Sequence, residues 1–254
     1  MKITIIGAGN MGGAMAIGLA KTGKFQITAT ARHAERLEKY HPYGIRTTTD
    51  NLAAVKGADV VMYAVEPYQM QGVLEQTAPV LDFDSQLIVS VSPGVKAPDL
   101  VAWLGGSKKA SIAYVIPNTA IEIGESMTYV SPITASDAQA QILKEIFDTV
   151  GKTCVVPLSL MMAGTKTASC GIAFAMRYIA ASVEGAKALG LDPETAVDVV
   201  CQTVKGAAQL IAHNGTEPQF EIDRVTTPGG ITIRGLEAME AAGFSDAVKR
   251  GMGL

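Results

Sequence analysis

Ile3-Thr4-Ile5-Ile6-Gly7-Ala8-Gly9-Asn10-Met11-Gly12-Gly13 opens the chain with β-branched residues that run straight into G-x-G-x-x-G. Ala14-Met15-Ala16-Ile17-Gly18-Leu19 comes next, so the order is strand, tight turn and helix, as a dinucleotide site requires. In that reading Gly7 makes the turn and Gly9 lets the backbone approach a pyrophosphate. Gly12 brings the helix close to the strand, and the helix amides and dipole face the phosphates. The glycines alone say little, because glycine supplies 26 of the 254 residues. The flanking strand and helix carry the inference.

Outward from that motif, residues 25–31 read as a second strand ending in Arg32-His33. An acid about twenty residues past the glycines would hold ribose hydroxyls, whereas a basic residue there accommodates a 2′-phosphate. This strand carries no acid, and Arg32 stands at its tip, so NADP is favoured with NAD still possible. Arg32 as the cap of a solvated turn stays open.

Further on, a helix is expected over 34–40, a short strand or loop over 43–47, and a short helix opened by Asn51. The continuous apolar run 59–65 reads as a buried parallel strand stopped by Glu66-Pro67. A helix over 68–78, a strand over 86–91, the loop Ser92-Pro93-Gly94, a helix over 98–104 and a strand over 110–116 continue the alternation. Such alternation predicts a doubly wound parallel sheet, with ligands bound beyond the carboxyl ends of its strands.

Five loops are then expected to line one crevice: 7–12, Arg32, 65–67, 92–94 and Pro117-Asn118-Thr119. Asn118 and Thr119 suit either a carboxamide or substrate contact or an ordinary turn. Cofactor contacts are assigned to Gly7, Gly9, Asn10, Met11, Gly12, Arg32, Asn51, Ala64, Val65, Pro67 and Asn118.

Strands over 124–130 and 153–156 flank a helix over 135–150. From Leu158 the strand pattern ends, and helices are expected over 158–189, 193–213, 230–242 and 244–251. Gly190 closes one helix and Asp192-Pro193 opens the next. The expected fold is therefore α/β, with a Rossmann-type domain over 1–157 followed by an all-α domain over 158–254.

Composition narrows the class. With 48% apolar residues and a net charge of −3, neither nucleic acid nor an anionic membrane is an expected partner. The longest like-charge cluster is Lys108-Lys109. Cys154, Cys170 and Cys201 are widely spaced, with no C-x-x-C and no histidine at metal spacing. No metal site is expected, and a reduced intracellular protein fits. Lys166, Arg177 and Glu184 interrupt the apolar segment 158–189, which argues for a buried helix rather than a membrane span. A strand beginning at residue 2 leaves no room for a secretory signal, so a cytoplasmic location is expected.

Asp223-Arg224-Val225-Thr226-Thr227-Pro228-Gly229-Gly230-Ile231-Thr232-Ile233-Arg234-Gly235-Leu236 closely resembles the C-terminal signature of pyrroline-5-carboxylate reductases. Glu184 to Leu191, Gln202 to Ala208, Ile116 to Thr119 and the glycine motif resemble further segments of that family in the same order. The resemblance spans the whole chain. It implies reduction of the cyclic imine Δ1-pyrroline-5-carboxylate to L-proline with NADPH or NADH, the last step of proline biosynthesis. It also implies a homodimer intertwined through the second domain, which larger rings can extend. The long apolar helical segment agrees, since it offers more surface than one sheet face covers.

Hydride transfer to C=N asks little acid–base work of the protein, because the substrate nitrogen can arrive protonated. His33, His41 and His213 form no catalytic arrangement and read as surface or packing residues. Placement of the imine carbon is the requirement. The resemblance assigns the substrate carboxylate to Thr226, Thr227, Gly229, Gly230, Ile231 and Thr232, where a glycine pair before a helix exposes amides. Thr232 is the candidate catalytic residue, donating near the imine nitrogen.

Four stretches depart from the family. Glu66 stands where the family commonly has Lys, Ile231 where it has Thr, and Cys170-Gly171-Ile172-Ala173-Phe174 where it has Ser-Gly-Pro-Ala-Tyr. Lys166 lies where β-hydroxyacid dehydrogenases place a catalytic lysine, although Cys170 replaces their Asn. Two alternatives follow, a β-hydroxyacid dehydrogenase using Lys166 and a non-catalytic NADP-binding dimer.

Overall fold

The computed structural model describes residues 1–106 and 109–254, so Lys108 of the Lys108-Lys109 pair lies outside the described residues. By its contacts the chain divides into Met1–Cys170 and Gly171–Leu254. The expected boundary at 157/158 assigns residues 158–170 by sequence to the helical part. By packing, Met161 joins the hydrophobic core of the first unit.

The first unit is built on an eight-stranded sheet in the order β3-β2-β1-β4-β5-β6-β7-β8. The strands are β1 (Lys2–Ile6), β2 (Gln26–Thr30), β3 (Arg46–Thr48), β4 (Val60–Tyr63), β5 (Leu87–Ser90), β6 (Ser111–Ile116), β7 (Ser126–Pro132) and β8 (Gly151–Val155). Strands β3 to β6 across the sheet run parallel. β7 runs against β6, and β8 runs with β7. The β6–β7 connection is short and reverses direction, which a parallel pairing would not allow without a crossover.

Alternate residues of the central strands feed two cores. Ile3, Ile5, Val60, Met62, Val89 and Val115 pack with α1 (Asn10–Lys21) on one face. Ile6, Val61, Tyr63, Ile88, Ile112 and Tyr114 pack on the other with residues of α3 (Pro67–Thr77) and α4 (Ala97–Trp103). Burial on both faces explains the uninterrupted apolar strands. The remaining helices of this unit are α2 (Asn51–Val55), α5 (Asp137–Phe147), closed at its start by a Ser136–Gln139 capping box, and the single turn α6 (Met161–Gly164).

Two expectations change here. Residues 34–40 form two tight 3₁₀ stretches, Ala34–Arg36 and Glu38–Tyr43, rather than one helix. Pro42 inside the second supplies no amide, and Tyr40 is drawn fully into the core. The helix expected over 158–189 is broken: α6 gives way to a π-helical turn, Thr165–Ser169, before α7 (Gly171–Ala188) begins. Cys170 N–H donates to Thr165 O at 2.8 Å, one residue wider than an α-helical bond.

The second unit is helical: α7, α8 (Pro193–Asn214), α9 (Pro218–Arg224), α10 (Ile231–Ala241) and α11 (Phe244–Gly251). The sequence reading had no helix at α9. Asp192 caps α8 by accepting from Thr195 N–H at 3.1 Å. Tyr178 meets Phe244 edge to face at 6.3 Å. In residues 171–254 only Ala196 and Glu221 are buried, while Met176, Leu189, Val199, Leu210, Phe220 and Ile231 are exposed.

Candidate functional site

β1 lies between β2 and β4, so the order of strands reverses there and the carboxyl ends of these three strands bound a crevice. The structure has a cleft of about 260 Å³ at that point. Gly7, Ala8 and Gly9 line it from β1, Thr30, Arg32, His33 and Arg36 from β2 and its following turn, and Ala64, Val65 and Glu66 from β4. Asn51 closes its side.

The glycine turn is held by its neighbours. Gly7 sits at φ +97°, and a Cβ there would press on Val65 and the Ala64 carbonyl. Gly12 has its own requirement, since a Cβ would strike the Gly7 carbonyl. At Gly9 nothing lies within 4 Å of where a Cβ would stand, so this position faces open space. Ala8 N–H donates to Thr30 O at 2.6 Å, and the buried Tyr40 hydroxyl donates to Ala8 O at 2.9 Å. Thr30 Oγ1 donates to Asn51 Oδ1 at 2.8 Å, and Asn51 Nδ2 to Gln76 Oε1 at 3.1 Å. Asn51 thus braces the cleft wall through its side chain.

Electrostatics favour an anion at one end. α1 begins with no side-chain cap and no acid in its first turn, so the amides of Asn10, Met11 and Gly12 and the helix dipole are uncompensated. Arg32 and Arg36 are exposed on the cleft. Neither forms an ion pair among the described residues. Glu66 brings the opposite charge to the same cleft. The residues present fit a pyrophosphate at the helix end and a further phosphate at the arginines.

The single crevice expected from five loops is corrected to two recesses. Ser92 lies off the cleft, its hydroxyl donating to the Val65 carbonyl. Thr119 lines a neighbouring recess with Gly9, Asn10, Lys39 and Tyr43. Asn118 is buried, donating from Nδ2 to Ala168 O at 3.2 Å and accepting from Ala120 N–H at 3.1 Å, so its amide already braces the π turn and caps the 3₁₀ turn Thr119–Ile123. Pro67 starts α3 rather than lining the cleft. Arg36, Thr49, Tyr68 and Gln69 also line the cleft, and sequence reading assigned none of them.

The second unit presents the other expected group. Gly230 stands at the N-cap of α10 with no side-chain cap, and Gly229 takes φ +70°. Gly230 N–H donates to Thr227 O at 3.0 Å, and Thr226 Oγ1 donates to Ile222 O at 2.6 Å. Thr232 is exposed in the first turn of α10 and Ile231 is 84% exposed. Lys166 sits half-buried within the π turn, and Cys154, Cys170 and Cys201 are free and exposed. Among the described residues no helix is long and apolar enough to cross a membrane.

Comparison with known proteins places this geometry. Residues 159–253 match the family described as pyrroline-5-carboxylate reductase dimerisation. Residues 2–94 match the family described as NADP oxidoreductase, coenzyme F420-dependent. Pyrroline-5-carboxylate reductase 1 of Dictyostelium discoideum is 35% identical over 98% of this chain, which spans about half (48%) of that longer protein. Pyrroline-5-carboxylate reductase 2 of the same organism is 32% identical over 99% of this chain and 89% of its own length. The fold matches the crystal structure of Plasmodium falciparum pyrroline carboxylate reductase with NADP bound, at TM-score 0.90 and 23% identity, over 100% of this chain and 94% of that one. With a glycine cradle at one end, the α10 loop at the other and relatives that align across both, the chain belongs to the pyrroline-5-carboxylate reductase family.

Proposed function

We propose that this chain reduces Δ1-pyrroline-5-carboxylate to L-proline with NADPH as the preferred reductant, NADH serving less well, and that it closes proline biosynthesis in the cytoplasm. The observation that carries the reading is the match of the α10 signature, Asp223 to Leu236, in a chain that also holds the glycine cradle. NADPH, when bound, supplies the hydride.

The protein supplies placement. The Asn10, Met11 and Gly12 amides hold the pyrophosphate and the open face of Gly9 lets it approach. Arg32 and Arg36 take the 2′-phosphate, while Ala64 and Val65 flank the adenosine side of the cleft. Thr227 and the amides of Gly229 and Ile231 receive the substrate carboxylate, Thr226 and Gly230 shape the loop through their bonds to Ile222 O and Thr227 O, and Thr232 donates near the imine nitrogen. Holding the reacting atoms about 3–3.5 Å apart is then most of the catalytic task.

The functional division falls at 157/158, with 158–254 serving dimerisation and substrate binding. The dimerisation family match beginning at residue 159 supports this. A homodimer is further supported by the exposure of the apolar helical residues of 171–254.

The test is NADPH oxidation with Δ1-pyrroline-5-carboxylate, alongside oxidation of a 3-hydroxyacid by NADP. Rapid imine-dependent turnover is expected. Turnover of the hydroxyacid alone would move the chemistry to Lys166, and silence in both would leave a cofactor-binding dimer.

A further inference from the structure

The second unit buries one carboxylate. Of residues 171–254 only Ala196 and Glu221 are withdrawn from solvent, and Glu221 meets three donors. Its Oε1 accepts from Asn214 Nδ2 at 2.8 Å and from Thr216 Oγ1 at 2.7 Å. Its Oε2 accepts from Arg224 Nη1 at 2.8 Å.

These partners are spread along the chain in a telling way. Asn214 is the last residue of α8, Thr216 lies in the turn after Gly215, and Arg224 is the last residue of α9. One carboxylate therefore ties the end of α8, the turn and the end of α9 together. The loop Thr226 to Gly230 begins two residues beyond Arg224, and it hangs on α9 through Thr226 N–H to Asp223 O at 3.2 Å and Thr226 Oγ1 to Ile222 O.

α9 has only 7 residues, too few to keep its direction by helix formation alone. Burying a carboxylate is costly unless it is paired, and an apolar residue of similar size would stabilise such a junction as well or better. What the carboxylate adds is direction, because three hydrogen bonds fix one orientation where a leucine would allow several.

We propose that Glu221 is a positioning residue for the substrate-carboxylate loop, setting α9 on the end of α8 so that Thr226 to Ile231 meets the imino acid in one geometry. The inference rests on the substrate reading given above. It gives α9 a task and explains why the buried group in this unit is charged.

The test uses the full chain with Glu221→Leu and Glu221→Gln. Leucine removes all three bonds, whereas glutamine keeps a carbonyl acceptor for Asn214 and Thr216 and loses the charge pair with Arg224. For Glu221→Leu the KM for the imino acid should rise about ten-fold while the KM for NADPH stays within about two-fold. Glu221→Gln should fall between Glu221→Leu and wild type. Hydrogen exchange across residues 225–231 should quicken in the same order.

An unchanged imino-acid KM in Glu221→Leu would overturn the proposal. So would an equal rise in both KM values with a lowered melting temperature, which marks general loosening. If Glu221→Leu does not fold, the glutamine variant decides, and wild-type exchange at 225–231 with a wild-type KM counts against the inference. Should wild type itself lack imine-dependent turnover, the substrate reading fails instead, and the exchange measurement still reports whether Glu221 orders the loop.

Discussion

Arg32 and Arg36 stand on the cleft without carboxylate partners among the described residues, so their charge is free to meet a phosphate. Arg32→Ala should weaken NADPH about ten-fold or more and NADH far less. Equal weakening in parallel titrations would remove the phosphate role. Thr232 is exposed at the start of α10, its hydroxyl without a hydrogen-bonding partner among the described residues. Thr232→Val should therefore lower imine turnover by about ten-fold while NADPH affinity holds, and unaltered turnover would exclude a polar role. Arg32 was legible because it follows the strand directly, at the place where dinucleotide folds discriminate. Arg36 was not. It returns to the cleft only because the tight turns after β2 are anchored by the burial of Tyr40, a tertiary event with no periodic signature.

Elements carry a second set of consequences. The three motif glycines are not equivalent: Gly12→Ala should cost about 1–3 kcal/mol of stability, because the added methyl meets the Gly7 carbonyl. Gly9→Ala should leave the melting temperature unchanged and weaken NADPH, because its methyl would enter open space. Denaturation and cofactor titration of the two variants separate packing from binding, and matching behaviour would contradict the assignment. The α8–α9 junction adds a pH dependence. Hydrogen bonds from Thr216 and Asn214, with the charge of Arg224, hold Glu221 below the usual carboxylate range. A lowered folded value means that this contribution is complete above the unfolded carboxyl value of about 4.3 and is lost as pH falls through the folded value. Acid unfolding followed by helical signal should be less steep in Glu221→Gln than in wild type, and superimposed curves would refute the contribution. Strands and long helices were readable from period and punctuation. The direction of β7 was not, since alternation is the same in either direction. The π turn at Thr165–Ser169 was hidden inside a continuous apolar run, and α9 was too short to display a stripe.

At the scale of the molecule, the two halves differ in what they bury. The sheet unit encloses two cores, whereas the helical unit withdraws only Ala196 and Glu221, too little to offset the entropy of ordering its helices. Sedimentation should therefore give a dimer or larger at micromolar concentration, and the melting temperature should rise with protein concentration. A well-folded monomer with a concentration-independent transition would contradict this. The exposed apolar residues of this unit were visible in the apolar sequence after Leu158, although the one charged residue chosen for burial was not.

That nearly coreless helical unit has a consequence in heredity. If the helical unit pairs as proposed, a chain damaged at Thr226 to Gly230 but intact on the exposed apolar residues of α7 and α8, such as Met176, Val199 and Leu210, would still be enlisted by healthy copies. In a cell making both forms at equal level, random pairing would leave about a quarter of the dimers wholly normal. Such an allele would act against its neighbour, whereas one that never folds would merely be absent.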